Sequence, residues 1–77
     1  MNLDEAQQAF AAGKLREVVV EPADEGNGWM IMVRDSAGAL LTVTDHSGIE
    51  KIYHTLDNAT DAAKTIGFKM IRVEESF

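Results

Sequence analysis

Residues 15–22 read Leu-Arg-Glu-Val-Val-Val-Glu-Pro, and this stretch indicates the class of the fold. The three consecutive valines are β-branched, which disfavours a helix and favours a pleated strand. Pro22, the only proline of the chain, ends the stretch because it has no backbone N–H to donate. The sequence therefore predicts a first strand over residues 15–21.

Downstream of the proline, short apolar stretches alternate with polar turns. In the first of them, Trp29, Ile31 and Val33 alternate with Met30 and Met32, which is the period of a strand. Two turns follow, each with an aspartate at its start and a glycine at its end. Such short connections make neighbouring strands antiparallel. The pattern predicts three more strands, over residues 28–34, 39–44 and 49–53.

The N-terminal segment has the spacing of an amphipathic helix. Leu3, Ala6 and Phe10 recur every three or four residues. Asn2 and Glu5 have the spacing of a capping box, in which each residue satisfies a backbone N–H group of the other. These features predict a first helix near residues 3–12.

The hydrophobic period changes again after residue 55. Apolar residues then recur every three or four positions, at Leu56, Ala59, Ala63 and Ile66. Thr55 is a favourable N-cap, and Gly67 is a favourable residue just beyond a helix end. We predict a second helix over residues 56–66, followed by a final strand over residues 68–74.

These elements follow one another in the order α-β-β-β-β-α-β. We expect an α+β fold in which two short helices cover an antiparallel meander sheet. The chain has 77 residues, of which 45% are hydrophobic. A chain of this size forms one core that buries roughly 60% of the surface exposed on unfolding. Residues 1–77 are therefore expected to form a single domain.

The chain is acidic, with 13 acidic residues, 7 basic residues and a net charge of −6. Its lysines and arginines are scattered along the sequence, whereas nucleic-acid backbones bind clustered basic residues. Nucleic acid is therefore a disfavoured partner, and another protein is electrostatically easier to bind. Direct DNA binding stays open as an alternative, through Arg16, Arg34, Lys69 and Arg72.

Several features indicate the compartment. The chain has no cysteine, which excludes disulfides and thiolate metal sites. Its first residues are acidic where a secretory signal would be basic, and its apolar runs are far shorter than the roughly 20 residues of a membrane span. We expect a cytoplasmic protein without membrane contact.

The residue types of a hydrolytic triad occur side by side at Asp45, His46 and Ser47. A triad requires nucleophile and base in hydrogen-bond contact, whereas consecutive residues of a turn point apart. His54 is the only other histidine, and no two-histidine metal motif is present. The sequence offers no catalytic, cofactor-binding or metal-binding residue, and we expect a protein that is not an enzyme.

Both faces of the predicted strands are apolar, although the strands of a sheet with one solvent-exposed face should alternate between apolar and polar residues. Two short helices are expected to leave part of this surface uncovered, and a large uncovered apolar patch marks an interface. The residues that would form a self-association surface of a homodimer are Val19, Met30, Met32 and Leu41. The alternative is that a single chain buries both faces.

A set of acidic residues is the second candidate surface, and it would bind a partner if its members converge: Asp24, Glu25, Asp57, Asp61, Glu74 and Glu75. Spaced carboxylates of this kind can imitate nucleic-acid phosphates and inhibit a DNA- or RNA-binding defence complex of the host. The alternative is a solvated face that keeps the protein soluble.

The stretch Lys51-Ile52-Tyr53-His54-Thr55-Leu56-Asp57-Asn58-Ala59 leads through the second helix to Ile66-Gly67-Phe68 and a closing strand. This arrangement resembles small accessory proteins of bacterial plasmids and other mobile elements, including partition-associated proteins of the ParC type. The resemblance implies a non-enzymatic role in plasmid maintenance, replication or transfer, and it assigns no functional residues. We expect a small acidic interaction module that acts by protein–protein binding.

Overall fold

The computed structural model describes residues 1–23 and 27–75 of the chain. Within them, two helices pack against one side of a four-stranded sheet. The helices are α1 (Leu3–Ala11) and α2 (Leu56–Ile66), and the strands are β1 (Leu15–Pro22), β2 (Trp29–Asp35), β3 (Leu40–Thr42) and β4 (Arg72–Val73). Neither of the described helices has the length and apolar character needed to cross a membrane.

The strands lie in the order β3-β2-β1-β4. β1 pairs antiparallel with β2, and β2 pairs antiparallel with β3. β4, in contrast, pairs parallel with β1. The predicted α+β class is confirmed, but the prediction of an all-antiparallel meander is wrong for β4. The reason is that α2 carries the chain from one edge of the sheet to the other, and such a helical crossover is what parallel pairing requires.

The fourth predicted strand, over residues 49–53, is absent from the described structure, which shows only single bridges there. Tyr53 and Trp29 exchange both backbone hydrogen bonds, each 2.8 Å long. Thr44 donates its N–H to the carbonyl of Met1 at 2.7 Å. Lys51, in contrast, donates its N–H to the carbonyl of Val43 at 3.2 Å, so residues 49–53 change partner between residue 51 and residue 53 and form no continuous ladder.

The last predicted strand, over residues 68–74, is reduced to the two residues of β4. It pairs with β1 at Val19 and Val20 only. Phe68 departs from the strand pattern because its side chain packs into the core. There its ring meets that of Phe10 edge-on, with centroids 4.7 Å apart.

Both helices begin at the predicted caps. The Glu5 N–H donates to Asn2 Oδ1 at 2.8 Å, and the Asn2 N–H donates to Glu5 Oε1 at 2.9 Å, which completes the capping box. At the start of α2, the Asn58 N–H donates to Thr55 Oγ1 at 3.1 Å. These bonds satisfy N–H groups that have no partner inside a helix.

The two predicted turns share one hydrogen-bond pattern. In each, the carboxylate of the leading aspartate, Asp35 or Asp45, accepts the backbone N–H groups two and four residues further on, at 2.8–3.0 Å. The glycine of each turn has a positive φ, +93° at Gly38 and +86° at Gly48. The identical geometry follows from the shared Asp-x-x-Gly spacing.

The core lies between the sheet and the two helices. The strands contribute mainly branched aliphatic side chains and the helices mainly alanines, whose small size lets the helices approach the sheet closely. Its buried members from the strands and helices include Val18, Val20, Ile31, Val33, Ala6, Ala59, Ala63 and Ile66.

Gly28 permits the contact between β2 and the chain before α2. A Cβ at this position would overlap the carbonyl oxygen of Tyr53 and would lie 2.7 Å from Ile52 Cγ2. We expect Gly28→Ala to lower the free energy of unfolding by about 2–4 kcal/mol, since a backbone atom has little room to move and the φ of +155° adds strain.

The matched control is Gly38→Ala. Gly38 also has a positive φ, +93°, but a Cβ there meets no atom within 4 Å. It should cost only about 1–2 kcal/mol, from backbone strain alone. Urea unfolding of both variants measures the difference, and equal losses would show that the contact with Tyr53 has no energetic role.

Candidate protein-binding surface

The side of the sheet opposite the helices has no helix packed on it among the described residues. Paired residues of neighbouring strands share a face. Val19 pairs with Met32 on β2 and with Arg72 on β4, and Met32 pairs with Thr42 on β3. We term this side the open face; its members are Glu17, Val19, Glu21, Met30, Met32, Arg34, Leu40, Thr42 and Arg72.

The residues predicted for self-association do not all lie on this face. Val19, Met30 and Met32 do, whereas Leu41 pairs with Val33 and packs against the core. The structure places Leu41 on the core side, and because two leucines are adjacent, alternation alone does not decide which one is buried. Leu40, which is 42% exposed, occupies the corresponding place on the open face.

The apolar residues of the open face differ in exposure. Val19 and Met30 are only 6% and 5% exposed, so a partner would gain little from covering them. Met32 is half-buried, and Leu40 is exposed. The accessible apolar part of this face therefore consists of two side chains on neighbouring strands.

Four charged side chains cross the open face from β2 to the end of β4. Arg34 Nε lies 2.8 Å from Glu17 Oε2, and Arg72 Nη1 lies 3.9 Å from Glu17 Oε1. Arg72 Nη2 lies 2.8 Å from an oxygen of Glu74. We term this row the charge ladder. Its two guanidinium groups and two carboxylates balance, so the ladder is neutral.

The predicted acidic surface is divided by the fold. Asp24 and Glu25 lie outside the described residues. Asp57 and Asp61 are exposed on α2, whose packed side faces the core, so they lie on the helix side of the molecule. Glu74 belongs to the charge ladder, and Glu75 is exposed just beyond it.

The basic residues proposed for DNA binding come partly together. Arg34 and Arg72 both contact Glu17. Arg16 and Arg72 line a groove of about 320 Å³ between β1 and the chain that leads into β4. We term it the edge groove; it is lined by residues 16–18 and by Phe68 and residues 70–72. The alternation of residues 68–74 predicted a strand at this place, which is why sequence reasoning missed the groove.

The triad residue types of the second turn have structural partners. The Asp45 carboxylate accepts the backbone N–H groups of Ser47 and Ile49. His46 is exposed and lies beside the start of α1, where Asn2 Nδ2 donates to its Nδ1 at 3.2 Å. Across the described residues, no three histidine or carboxylate side chains are grouped closely enough to hold a metal ion.

Tyr53 has a buried hydroxyl with no hydrogen-bond partner among the described residues. Burial raises the pKa of this phenol above its usual value of 10.0 because the charged form loses solvation. The ring also faces an ammonium group, since Lys51 Nζ lies 5.6 Å from its centroid.

Comparison with protein-family models, with curated proteins and with solved structures finds no match to this chain.

We expect Tyr53→Phe to leave stability unchanged at neutral pH or to raise it by up to about 1 kcal/mol, because it removes a buried hydroxyl without a partner. In the wild type, the folded state favours the neutral phenol over the charged form, which is why the pKa is raised. This contribution to stability is fully present below pH 10 and is lost as the pH rises through the folded-state pKa. The variant should lack this alkaline loss.

Urea unfolding between pH 7 and pH 11 measures the difference between the two proteins. Tyr53 is the only tyrosine of the chain, so absorbance titration of the wild type reports its pKa alone. A midpoint at or below 10 would contradict the burial of the hydroxyl.

The charge ladder should contribute little to stability, since its side chains are partly exposed. We expect a double-mutant cycle of Glu17→Gln and Arg34→Gln to give a coupling of about 0.5 kcal/mol that declines in about 1 M salt. A cycle of Arg34→Gln with Asp61→Asn, which lies on the helix side, serves as control and should show no coupling. Equal values in the two cycles would contradict a specific ion pair.

Proposed function

We propose that this chain is a small non-enzymatic binding module that acts by binding another protein through its open face. One observation carries the proposal: both helices cover the same side of the sheet. The other side presents Met32 and Leu40 beside a row of charged groups. Interfaces between proteins combine an apolar centre with a polar rim in this way.

The charge ladder favours a protein over nucleic acid as the partner. A nucleic-acid backbone binds cationic groups that are available to its phosphates. Here Glu17 and Glu74 hold the guanidinium groups of Arg34 and Arg72, and the whole chain carries a charge of −6. A protein surface can instead match both signs of the ladder at once.

The size of the accessible apolar surface favours a transient contact. Obligate dimers bury large, mostly apolar interfaces. On the open face, Val19 and Met30 are already buried within the chain, which leaves Met32 and Leu40 to gain from contact. A second copy of this chain is one such partner, and a different protein is the other.

Mimicry of nucleic acid receives less support from the fold. It would require the acidic residues to form one face. Asp57 and Asp61 lie on the helix side, whereas Glu74 is engaged by Arg72 on the open face. The described members of the predicted acidic set therefore form no single array comparable to a phosphate backbone.

Our proposal extends to the cellular location of the protein and to the kind of genetic element that encodes it. From the resemblance given above, and from the lack of cysteine in the chain, we infer a cytoplasmic accessory protein of a plasmid or other mobile element. Plasmid maintenance or transfer genes beside its own gene would support this setting, and a chromosomal housekeeping locus would speak against it.

The open face can be tested by site-specific cross-linking. A photoreactive benzophenone residue in place of Leu40 should form an adduct with a partner in the cells that express the protein. The same residue in place of Asp61, on the helix side, should not. Met32→Glu should abolish the Leu40 adduct, because it places a charge within the apolar contact, while the circular dichroism spectrum is unchanged.

Light scattering then separates the two kinds of partner. A dimeric wild type that becomes monomeric with Met32→Glu identifies the partner as a second copy. A monomeric wild type with a Leu40 adduct identifies a different protein. No adduct at Leu40, or adducts of equal yield at both positions, would refute binding through the open face.

A further inference from the structure

The edge groove exists because β4 is short. β4 pairs with β1 only at Val19 and Val20, and the preceding residues of β1 have no strand partner on that side among the described residues. The chain from Phe68 to Ile71 lies across from them without joining the sheet. A space of about 320 Å³ opens between the two, at the border of the open face.

The groove has an apolar lining. Val18 is 1% exposed and Phe68 is 8% exposed, and both belong to the core, while Ile71 is half-buried against it. Met70 stands at the opening and is 87% exposed, the largest value among the exposed large hydrophobic residues of the described structure. A flexible methionine beside an apolar cleft adapts readily to an inserted side chain.

The groove does not share the strong negative charge of the whole molecule. Its charged lining residues are Arg16, Glu17 and Arg72, and Glu74 pairs with Arg72 at 2.8 Å, so the two guanidinium groups balance the two carboxylates, whereas the chain carries −6. Glu17 and Arg72 have partners in the charge ladder. Among the described residues, Arg16 forms no ion pair, and its guanidinium is available to a carboxylate.

We propose that the edge groove binds an extended acidic segment of a partner protein. The segment places one large apolar side chain against Met70 and Ile71, the two lining apolar residues that remain accessible, and a neighbouring carboxylate binds the guanidinium of Arg16. This inference rests on the proposed function as a protein-binding module, and it specifies the chemistry of the partner.

An extended conformation follows from the edge of the sheet. Peptides that bind at a sheet edge commonly add a strand, with backbone bonds for affinity and side-chain pockets for specificity. The unpaired part of β1 is short, and four residues of a strand span about 13 Å. The expected segment is therefore short, with a single anchoring side chain.

The basic side chain of Arg16 at the groove favours an acidic segment over a basic one. Arg16 lines the groove, and the exposed Lys69 is adjacent in sequence to Phe68 and Met70 of the lining. A basic segment would meet the like charge of Arg16 at contact distance, whereas a carboxylate can form charge-assisted hydrogen bonds with its guanidinium.

Selection from a displayed library of random octapeptides tests the proposal on the full chain. The expected enriched peptides contain one large apolar residue flanked by aspartate or glutamate. Synthetic copies of them, measured by fluorescence anisotropy, should bind Arg16→Glu at least tenfold more weakly than wild type. Met70→Ser should weaken binding severalfold, because it removes the apolar side chain at the opening.

Lys51→Glu is the matched control. It makes the same change in charge as Arg16→Glu, but Lys51 lies beyond the other edge of the sheet, where its N–H donates to Val43. It should alter affinity less than twofold. Three outcomes would overturn the proposal. They are equal losses of peptide affinity with both charge reversals, enriched peptides without acidic residues, and no enrichment over selection on the Arg16→Glu protein.

A single-stranded DNA 12-mer tests the competing phosphate chemistry. If it binds more tightly than the peptides and loses affinity with Arg16→Glu, the groove is a phosphate site and the proposal fails. The cross-linking at Leu40 reports the open face separately. If no acidic peptide binds but the Leu40 adduct still forms, the proposal for the groove is refuted and the open-face proposal stands. If acidic peptides bind in the groove but no Leu40 adduct forms, only the open-face proposal is refuted.

Discussion

The pairing of β1 with β2 is the interaction on which the rest of the structure depends. Across this pair, Val18 is opposite Val33 and Val20 is opposite Ile31, which creates one continuous branched aliphatic face. Both helices pack against it through buried alanines. The second face of the same pair is left to side chains of the sheet itself. There Val19 is buried although no described helix covers it, and its paired neighbours, Met32 and Arg72, are long side chains. The open face and its charge ladder are thus a consequence of placing both helices on one side.

The helix caps and turns that sequence reasoning predicted correctly have local causes. The capping box of Asn2 and Glu5, the N-cap Thr55 and the two aspartate turns depend on atoms at most four residues apart. The failures lie where pairing partners are distant. Residues 49–53 alternate like a strand, but Tyr53 bonds to Trp29. Residues 68–74 also alternate, but Phe68 gains more from the core than from a strand position.

The candidate site was predictable only in part, for the same reason. The period of two placed Met30 and Met32 on one face, and the structure agrees. It could not choose between Leu40 and Leu41, because both are equally apolar. The charge ladder joins Glu17, Arg34 and Arg72, which come from three strands that are separated in sequence. A scattered distribution of basic residues along the chain therefore did not imply scattered positions in space, and the edge groove has no signal in the sequence at all.

A negative net charge repels an acidic partner, but this repulsion weakens with the distance between the charges. The molecule measures 33 × 26 × 21 Å, while charges are screened beyond about 8 Å at physiological salt. The carboxylates of α2 lie on the helix side, so screening weakens their repulsion at the opposite face. A carboxylate that contacts Arg16 is screened little, because ions and water are displaced from the contact. The guanidinium of Arg16 therefore governs this contact more than the charge of −6 on the whole chain does. An acidic protein with a short last strand can in this way select an acidic segment at one edge and remain repelled by acidic surfaces elsewhere.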